Sequence, residues 1–473
     1  MTKSLFTQSL TCAVGIAFFG LLAVGQTCLA QTASEAPAPR PTSWALKSGG
    51  FPSFALQQVG PSLEEIANAT EPDSASSATQ GGRASSLAAR VKSRSRNYPR
   101  RDSRTAISLG NKHLNAIFGG FEQGAGLGGG LELTTADSIP GIEFRVTGLV
   151  STRLYRAGEV DVFIPKIGDE KTHADIWYGY SRRTKDHFFG IGPRTPRSNI
   201  TSFDLEQRNV NAALFRDFTN HFQAGVYIGY TDADAYRGEL RDEPLIDLLF
   251  SNRPTVVPIT RWAPGLNSGS KTISYGAFAE YDRRNNSRGL TRGVYVYGRI
   301  ASVDGLDKSF FNDYGWVEGE FDARGYVPLG SDKTSLAARV AFELKGPKAG
   351  SQIPFYDLAR LGGRSYVRGF ENYRFFGQNL LLSSVELRQT IIALKEDRGI
   401  DAFAFGDAGQ VWGDNRSRTD PVVRQNERFD SRNWRASMGG GIQYRHSESL
   451  AARLDFGHSN EANKVYFSVT RGF

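Results

Sequence analysis

The sequence has almost no sulfur-containing residues and no long apolar run beyond its N-terminal stretch. Its 473 residues include two cysteines and two methionines. Both cysteines, Cys12 and Cys28, lie in a stretch typical of a cleaved leader, so we expect the exported chain to form neither a disulfide nor a cysteine-ligated metal site. A spanning helix needs about 20 apolar residues, and no later run approaches that length. The sequence therefore excludes a helical membrane protein.

The other scarce features restrict the chemistry. The six histidines have no metal-ligand spacing, and Ser459 lacks the following glycine of a nucleophile elbow, so we expect no metal, no cofactor and no enzymatic activity. The formal net charge of +8 and the pI near 9.3 could suit nucleic acid. Export and the lack of any recognisable nucleic-acid-binding motif argue against that partner.

The N-terminus has the parts of a secretory signal peptide. Lys3 supplies a positive start, residues 13–24 are apolar apart from glycine, and small residues at 28–30 offer a cleavage site before Gln31. We therefore predict that residues 1–30 direct export and are removed.

Residues 31–105 have a different composition, rich in Ala, Ser, Pro, Gly and Thr. Such a stretch buries too little apolar surface to offset the entropy of ordering, so we predict a low-complexity, disordered periplasmic segment. Its end, residues 90–104, carries seven lysines and arginines. This run is interpreted either as a solvated tail or as a contact for anionic lipid or an acidic partner.

From about residue 112 to the end, segments of period two follow one another with turn residues between them. In the segment 142–154, Val146 and Val150 alternate with Thr147 and Ser151, which is typical of a membrane strand with one lipid face and one aqueous face. A soluble sandwich also alternates, so one strand does not decide. We predict sixteen strands, near 112–121, 126–135, 142–154, 158–165, 174–183, 202–217, 221–232, 272–282, 292–303, 315–327, 334–345, 379–392, 399–411, 433–444, 449–458 and 464–473.

The connections favour a membrane barrel over a sandwich. The longest ones, near 184–201, 233–271, 346–378 and 412–432, all fall at one end of the strands, whereas short turns fall at the other. Single-chain bacterial barrels have an even strand number and this same asymmetry of loops. The predicted fold is an all-β, 16-stranded antiparallel transmembrane β-barrel over 106–473, surrounded by outer-membrane lipids.

The C-terminal strand carries a second indication of this location. Phe467, Val469 and the terminal Phe473 lie on one face of the predicted strand. A terminal aromatic residue after alternating apolar residues resembles the signal that outer-membrane proteins present to their insertion machinery. We therefore predict that this machinery is a partner in the biogenesis of the chain, in a Gram-negative-type cell envelope.

A glycine-flanked arginine late in the chain makes the assignment more specific. The motif consists of Gly362 and Gly363 followed by Val367, Arg368, Gly369 and Phe370. Further matching segments occur in order along the chain, at 188–192, 281–286, 291–293, 354–356 and 405–409. Together these segments resemble the bacterial surface antigen superfamily, the BamA-type barrels that assemble or translocate proteins at the outer membrane.

This resemblance implies that the long loop before the twelfth strand folds back into the barrel and that its arginine meets acidic residues of the wall. Carried over to this sequence, Arg368 would pair with Glu386 and Asp407. Asp407 shares its face with Phe403 and Phe405, so an inward Asp407 requires the loop to cover both rings. The alternative interpretation is an ordinary surface-loop arginine.

Two functions fit the sequence. The first is a barrel that aids insertion or passage of polypeptides, with a seam between the strand near 115–120 and the strand near 467–470 that receives a polypeptide client. The second is a passive pore or structural surface barrel that retains the family fold. Since 31–105 does not resemble the periplasmic receptor modules usual in the family, capture of a client would fall to a periplasmic partner or to the basic run.

Overall fold

The fold is described from a computed structural model of the chain. The residues described are 104–111, 113–119, 124–135, 141–238, 240, 243–252, 262–284, 292–307, 313–394, 398–413, 429–445 and 451–469. The predicted signal peptide, nearly all of the predicted low-complexity segment, and Phe473 lie outside these residues.

The described chain is dominated by β-structure. Seventeen strands form one sheet, and a small two-stranded sheet lies within one connection. In chain order the strands are β1 (Arg104–Asn111), β2 (Leu114–Gly119), β3 (Gly128–Thr134), β4 (Glu143–Ser151), β5 (Arg156–Ile164), β6 (Thr172–Phe188), β7 (Thr201–Asp217), β8 (Phe222–Arg237), β9 (Ser270–Asp282), β10 (Gly293–Gly305), β11 (Gly315–Leu329), β12 (Ser331–Pro347), β13 (Ala359–Leu361), β14 (Phe375–Gly377), β15 (Asn379–Ala393), β16 (Gly399–Trp412), β17 (Arg435–Arg445), β18 (Ala451–His458) and β19 (Asn463–Val469).

Helical structure is confined to short pieces of the connections. A four-residue helix, α1 (Ile246–Leu249), lies between β8 and β9, where its Ile246 is buried. Single turns of 3-10 helix occur at Arg197–Asn199, Phe355–Asp357 and Ser431–Asn433. In the described part of the chain, no helix combines the length and the apolar character needed to cross a membrane.

All sixteen predicted strands are present, as β2–β12 and β15–β19. The seventeenth strand of the large sheet, β1, was not predicted, because its alternation is short and directly follows the basic run. It begins at Arg104, within the segment assigned to low complexity and two residues before the predicted start of the barrel at 106.

The strands of the large sheet pair antiparallel and in chain order. β11 and β12, for example, run from Trp316 opposite Pro347 to a tight turn at Gly330, which has a positive φ of 70°. The pairings among the described residues extend from β1 to β19 without a break and include none between these two strands. Because β2 pairs with β1 on one side and β3 on the other, the predicted direct seam between β2 and β19 is wrong for these residues.

Side-chain exposure follows the predicted alternation. On β4, Val146 and Val150 are 47% and 54% exposed, whereas Thr147 and Ser151 are buried. The strand is shorter than predicted and ends at Ser151, because the chain turns over 152–155. Period two therefore identifies the two faces of the sheet correctly, but it overestimates the length of this strand.

Two strands are longer than predicted at the end that carries the long connections. β6 continues past 183 to Phe188 through a bulge in which Lys185 has a positive φ of 62°. β8 continues past 232 to Arg237. The alternation of apolar residues fades in these extensions because acidic residues such as Asp232 and Asp234 lie on the outward face there, so the pattern no longer signals a strand.

The main buried core surrounds the connection between β12 and β15, residues 348–378, which we call the inner loop. Its aromatic residues pack against residues of the long connections and of the facing strands: Phe355 lies 4.7 Å from Phe188 and 4.8 Å from Phe203 between ring centroids. Each fully buried ring of this kind contributes roughly 1.5–3 kcal/mol to folding. The sheet curls around this loop, so strands far apart in sequence contact the same short segment.

Candidate functional site: the arginine network of the inner loop

The inner loop turns sharply just before its arginine. Gly362 and Gly363 have positive φ values of 112° and 96°, conformations that residues with a side chain rarely adopt. A Cβ on Gly362 would also lie 2.5 Å from the carbonyl oxygen of Glu371. The two glycines thus allow the loop to reverse, and the backbone N–H of Tyr373 donates to the Gly362 carbonyl at 3.2 Å.

Arg368 points from this turn into the inner face of the sheet. Its Nε and Nη2 donate to the two carboxylate oxygens of Asp407, each at 2.8 Å, and its backbone N–H donates to Asp407 Oδ2 at 3.1 Å. Its Nη1 donates to Glu386 at 2.8 Å and to Asp455 at 3.3 Å. One planar guanidinium therefore joins three strands, β15, β16 and β18, because its five donors are fixed in a fork.

Two further arginines balance the charge of these acids. Arg453 donates to both Glu386 oxygens at 2.9 and 2.8 Å and to Asp455 at 2.7 Å, and Arg388 donates to Glu386 at 2.7 Å. Three guanidiniums and three carboxylates thus form one buried cluster, the arginine network, made of Arg368, Glu386, Arg388, Asp407, Arg453 and Asp455. A buried charge is tolerated when it is paired and hydrogen-bonded, as each of these charges is.

Two phenylalanines line the network on β16. The guanidinium carbon of Arg368 lies 3.3 Å from the ring centroid of Phe405, and that of Arg453 lies 3.7 Å from the centroid of Phe403. Both rings are buried. The condition for an inward Asp407, that its two aromatic neighbours be covered, is met, and the contacts add cation–π attraction to the ion pairs.

The segment after Arg368 packs against the last hairpin, which consists of β18, β19 and the turn 459–462. A Cβ on Gly369 would lie 2.7 Å from the backbone carbon and oxygen of His458, so only glycine permits this approach. Ser459 Oγ donates to the Gly369 carbonyl at 2.7 Å, and Tyr466 Oη donates to the Phe370 carbonyl at 2.8 Å. The loop backbone is therefore tied directly to the final pair of strands.

Ion pairs extend this contact toward the rim. Lys464 on β19 lies 2.5 Å from Glu371 between nitrogen and oxygen, and Arg374 pairs with Glu461 in the turn at 2.8 Å. Arg374 also donates to the backbone carbonyl of Thr195, in the connection between β6 and β7, at 2.8 Å. The same arginine thus joins the last hairpin to a connection from the far side of the sheet.

The first half of the inner loop is held by the opposite wall. Tyr356 Oη is hydrogen-bonded to Ser270 Oγ on β9 at 2.9 Å, and Arg339 on β12 donates to the Ser365 carbonyl at 2.9 Å. Lys345 Nζ donates to the Asp357 carbonyl at 2.5 Å. The loop is therefore fixed to strands β9 and β12 as well as to β15, β16, β18 and β19.

Burial affects two charged residues of the inner loop, Arg368 and Asp357, in different ways. Burial alone would lower the pKa of Arg368, but the Asp407 and Glu386 carboxylates raise it well above its ordinary value, so the guanidinium stays charged. Burial raises the pKa of the Asp357 carboxyl from 3.8 to about 7, with Lys345 opposing the shift. Oδ1 of Asp357 has no hydrogen-bond partner among the described residues.

The predicted site residues fall into two groups. The structure brings Arg368 together with Glu386 and Asp407, and it buries Val367 and Phe370 beside them. The residues of the predicted C-terminal signal are separate from this site: Phe467 is exposed on β19, the side chain of Val469 is not described, and Phe473 lies outside the described residues.

The predicted set missed half of the network. Arg388, Arg453 and Asp455 were not assigned to the site, although the period-two pattern places Arg388 on the same face as Glu386. Arg453 and Asp455 lie two residues apart on β18, so the period-two pattern places them on the same face of the strand. Such charge alternation is common on the aqueous face of any barrel strand, so only the distances single these residues out.

The cluster suits a structural role. Its carboxylates are saturated by arginines, and among the described residues no group of three His, Cys, Asp or Glu side chains is placed to hold a metal ion. What the arrangement can do is hold a long loop inside the curled sheet and release it only when several charged hydrogen bonds break together.

Replacing Arg368 with alanine should loosen the inner loop. The three carboxylates would keep only two guanidiniums, and breaking a buried ion pair costs about 3–5 kcal/mol. We expect a lower folded yield, weaker detergent resistance and a larger single-channel conductance. Arg368→Lys should be intermediate, because it keeps the charge without the paired donors.

The matched control is Arg432→Ala. Arg432 pairs with Asp430 at 2.9 Å but its side chain is 79% exposed, so its loss should leave the stability nearly unchanged. If Arg368→Ala left yield, detergent resistance and conductance all unchanged, the pinning role of Arg368 would be wrong.

Gly369→Ala should displace the loop from the last hairpin without removing any charge. The new methyl group would clash with the backbone of His458, and such overpacking typically costs 1–3 kcal/mol. The measurement is limited proteolysis of the inner loop together with thermal unfolding. Gly346→Ala is the control, since no heavy atom lies within 4 Å of its added Cβ; equal effects of the two changes would contradict the steric explanation.

The seating of the inner loop should weaken as the pH rises through about 7. Asp357 has a folded pKa of about 7 against an ordinary 3.8, so the folded loop binds the extra proton. The resulting stabilisation is complete below pH 4 and is lost as the pH passes 7. Asp357→Asn should abolish this pH-dependent stabilisation. The measurement is the protease sensitivity of the inner loop between pH 5 and 9. An unchanged pH profile in the variant would refute the role of Asp357.

The chain is similar in sequence and in structure to known proteins. The model of the Omp85 superfamily domain matches residues 141–472. BamA from Haemophilus ducreyi lacking POTRA domains 1–3 is similar in structure, with a TM-score of 0.58 and 16% identity, covering 82% of this chain and 77% of that one. No curated protein sequence matches the chain.

Two further similar structures are CdiB proteins. CdiB from Escherichia coli has a TM-score of 0.48 and 14% identity, with 78% of this chain covered, and CdiB from Acinetobacter baumannii has 0.43, 14% and 77%. The chain spans 64% and 58% of their lengths. The similarity to the BamA structure shows a BamA-like fold, and the family match covers well over half of the sequence. The chain belongs to the Omp85 superfamily, as an outer-membrane barrel of the assembly and translocation type.

Proposed function

We propose that this chain helps polypeptides insert into or cross the outer membrane, without enzymatic activity of its own. The observation that carries the proposal is the arginine network. The network holds the inner loop inside the sheet, and it does so by burying charged groups, which costs desolvation free energy. A simple pore does not require such an arrangement. Family membership gives the class of function, and the network supports retention of its working parts.

The proposed client is a polypeptide in extended form. An extended segment can add a strand to a sheet edge through main-chain hydrogen bonds, with little dependence on its sequence. The strands at the two ends of the sheet are short, with eight residues in β1 and seven in β19, and β2 beside β1 has six. They have few hydrogen bonds to break compared with the seventeen-residue β6 and β7. The ends of the sheet are therefore the places where a client would enter.

The inner loop is the element that would respond to a client. Because residues 368–374 contact the last hairpin at Ser459, Glu461, Lys464 and Tyr466, movement of β19 would strain the loop, and movement of the loop would release β19. Insertion would then be coupled to unseating of the loop rather than to a chemical step. Outer-membrane lipids surround the barrel in this proposal, and a periplasmic partner delivers the client.

The decisive experiment is depletion of the chain in cells, followed by measurement of the amounts of other outer-membrane and surface-exported proteins. We expect these amounts to fall, to recover with the wild-type or the Arg432→Ala chain, and to remain low with Arg368→Ala. Undiminished amounts after depletion would rule out the assembly or translocation role.

Conductance separates this role from that of a passive pore. A chain whose inner loop is pinned should show low, gated conductance in planar bilayers, increased by Arg368→Ala. A large and steady conductance of the wild-type chain would favour the passive-pore alternative.

A further inference from the structure

The strand β1 stands apart from the rest of the sheet. It is additional to the sixteen strands β2–β12 and β15–β19 that the sequence predicts, and like β2 and β3 it precedes residue 141, where the family match begins. It pairs antiparallel with β2 from Arg104 opposite Gly119 to Ser108 opposite Asn115, and again at Asn111 opposite Leu114. The chain thus lays its own N-terminal segment along the first of these sixteen strands.

This placement occupies an edge. A strand has two hydrogen-bonding edges, and β3 takes the other edge of β2 from Leu114 opposite Leu133 to Phe118 opposite Gly129. Both edges of β2 are therefore filled from within the chain. A client that adds a strand to β2 has to take the place of β1.

The pairing of β1 with the edge of β2 is short and interrupted. Its register shifts between Ser108 and Asn111, whereas β11 and β12 pair without a shift from Trp316 to Pro328. The connection from β1 to β2 consists of residues 112–113 alone, so β1 can leave the edge while remaining tethered beside it. Few main-chain hydrogen bonds need to break for such a departure.

The sequence of β1 resembles that of a membrane strand. Thr105, Ile107 and Leu109 alternate with the small residues at 106, 108 and 110. An outer-membrane strand also carries apolar residues at alternate positions and small or polar residues between them. β1 and a client strand with this pattern would therefore pair with β2 through the same main-chain groups.

We propose that β1 is an exchangeable edge strand: it covers β2 in the resting chain and is displaced by an extended polypeptide with alternating apolar and small or polar residues. The exchange replaces one set of main-chain hydrogen bonds with an equal set, so it needs no energy source beyond the binding of the client. The identity of the client rests on the proposed function, whereas the exchange at β2 can be tested by itself.

The test locks or removes β1. Two double variants, Ile107→Cys with Ala116→Cys and Ser108→Cys with Asn115→Cys, join neighbouring register pairs. Opposite pairs alternate between a wide and a narrow spacing, so one of the two variants has the spacing that suits a disulfide. The chain has no cysteine beyond Cys28, so no other cysteine after that residue can form a competing disulfide. Val146→Cys with Val160→Cys, a pair on β4 and β5, is the control lock.

The probe is a synthetic peptide with the sequence of residues 104–111 and a photo-crosslinking group, with a scrambled peptide as its control. Deletion of 104–111 should increase crosslinking to β2, the oxidised lock should abolish it, and reduction should restore it. The control lock should have no effect. Should the deletion variant not fold, Ile107→Pro weakens β1 by removing one main-chain donor and replaces it.

Two results would overturn the exchange: crosslinking that does not rise when β1 is deleted or weakened, and crosslinking that persists in the oxidised lock. The depletion experiment fails or succeeds separately. The chain could exchange its edge strand with the peptide while its depletion leaves other outer-membrane proteins unchanged. In that case the exchange at β2 stands and the assembly role is ruled out.

Discussion

The charge on Arg368 is the constraint on which the inner loop depends. A guanidinium cannot lose its proton in a protein interior, so it must find carboxylates wherever it is buried. Here Asp407, Glu386 and Asp455 supply them, from three different strands. The glycines on either side follow from this geometry, because Gly362 lets the chain turn and Gly369 lets the backbone approach β18.

The inner loop in turn ties together parts of the sheet that are distant in sequence. Its aromatic residues pack against β6 and β7, and its backbone is bonded to the last hairpin. Each such hydrogen bond contributes only about 1 kcal/mol, but they form or break as a set when the loop moves. We therefore expect the loop to leave its place only when several of these bonds break together.

The first and last strands of the sheet are held differently. β19 is held by the inner loop, through Lys464 and Tyr466. β1 is held by its pairing with β2. Because β1 and β2 are antiparallel, Arg104 lies beside Gly119, at the end of the sheet with the long connections. The chain therefore enters the sheet from the same end as the inner loop.

The sequence by itself determined the repetitive part of the structure. Period two, as in Val146 and Val150 against Thr147 and Ser151, places every second side chain on the same face wherever a strand forms, so strands and faces could be predicted without tertiary information. The pairing of Arg368 with Glu386 and Asp407 was predictable only through family resemblance. Tertiary structure decided the rest: Arg453 and Asp455 join the network because the sheet curls until β18 faces the loop, and β1 forms because β2 offers it an edge. The local alternation of residues does not single out either contact, since each depends on which strands meet across the sheet.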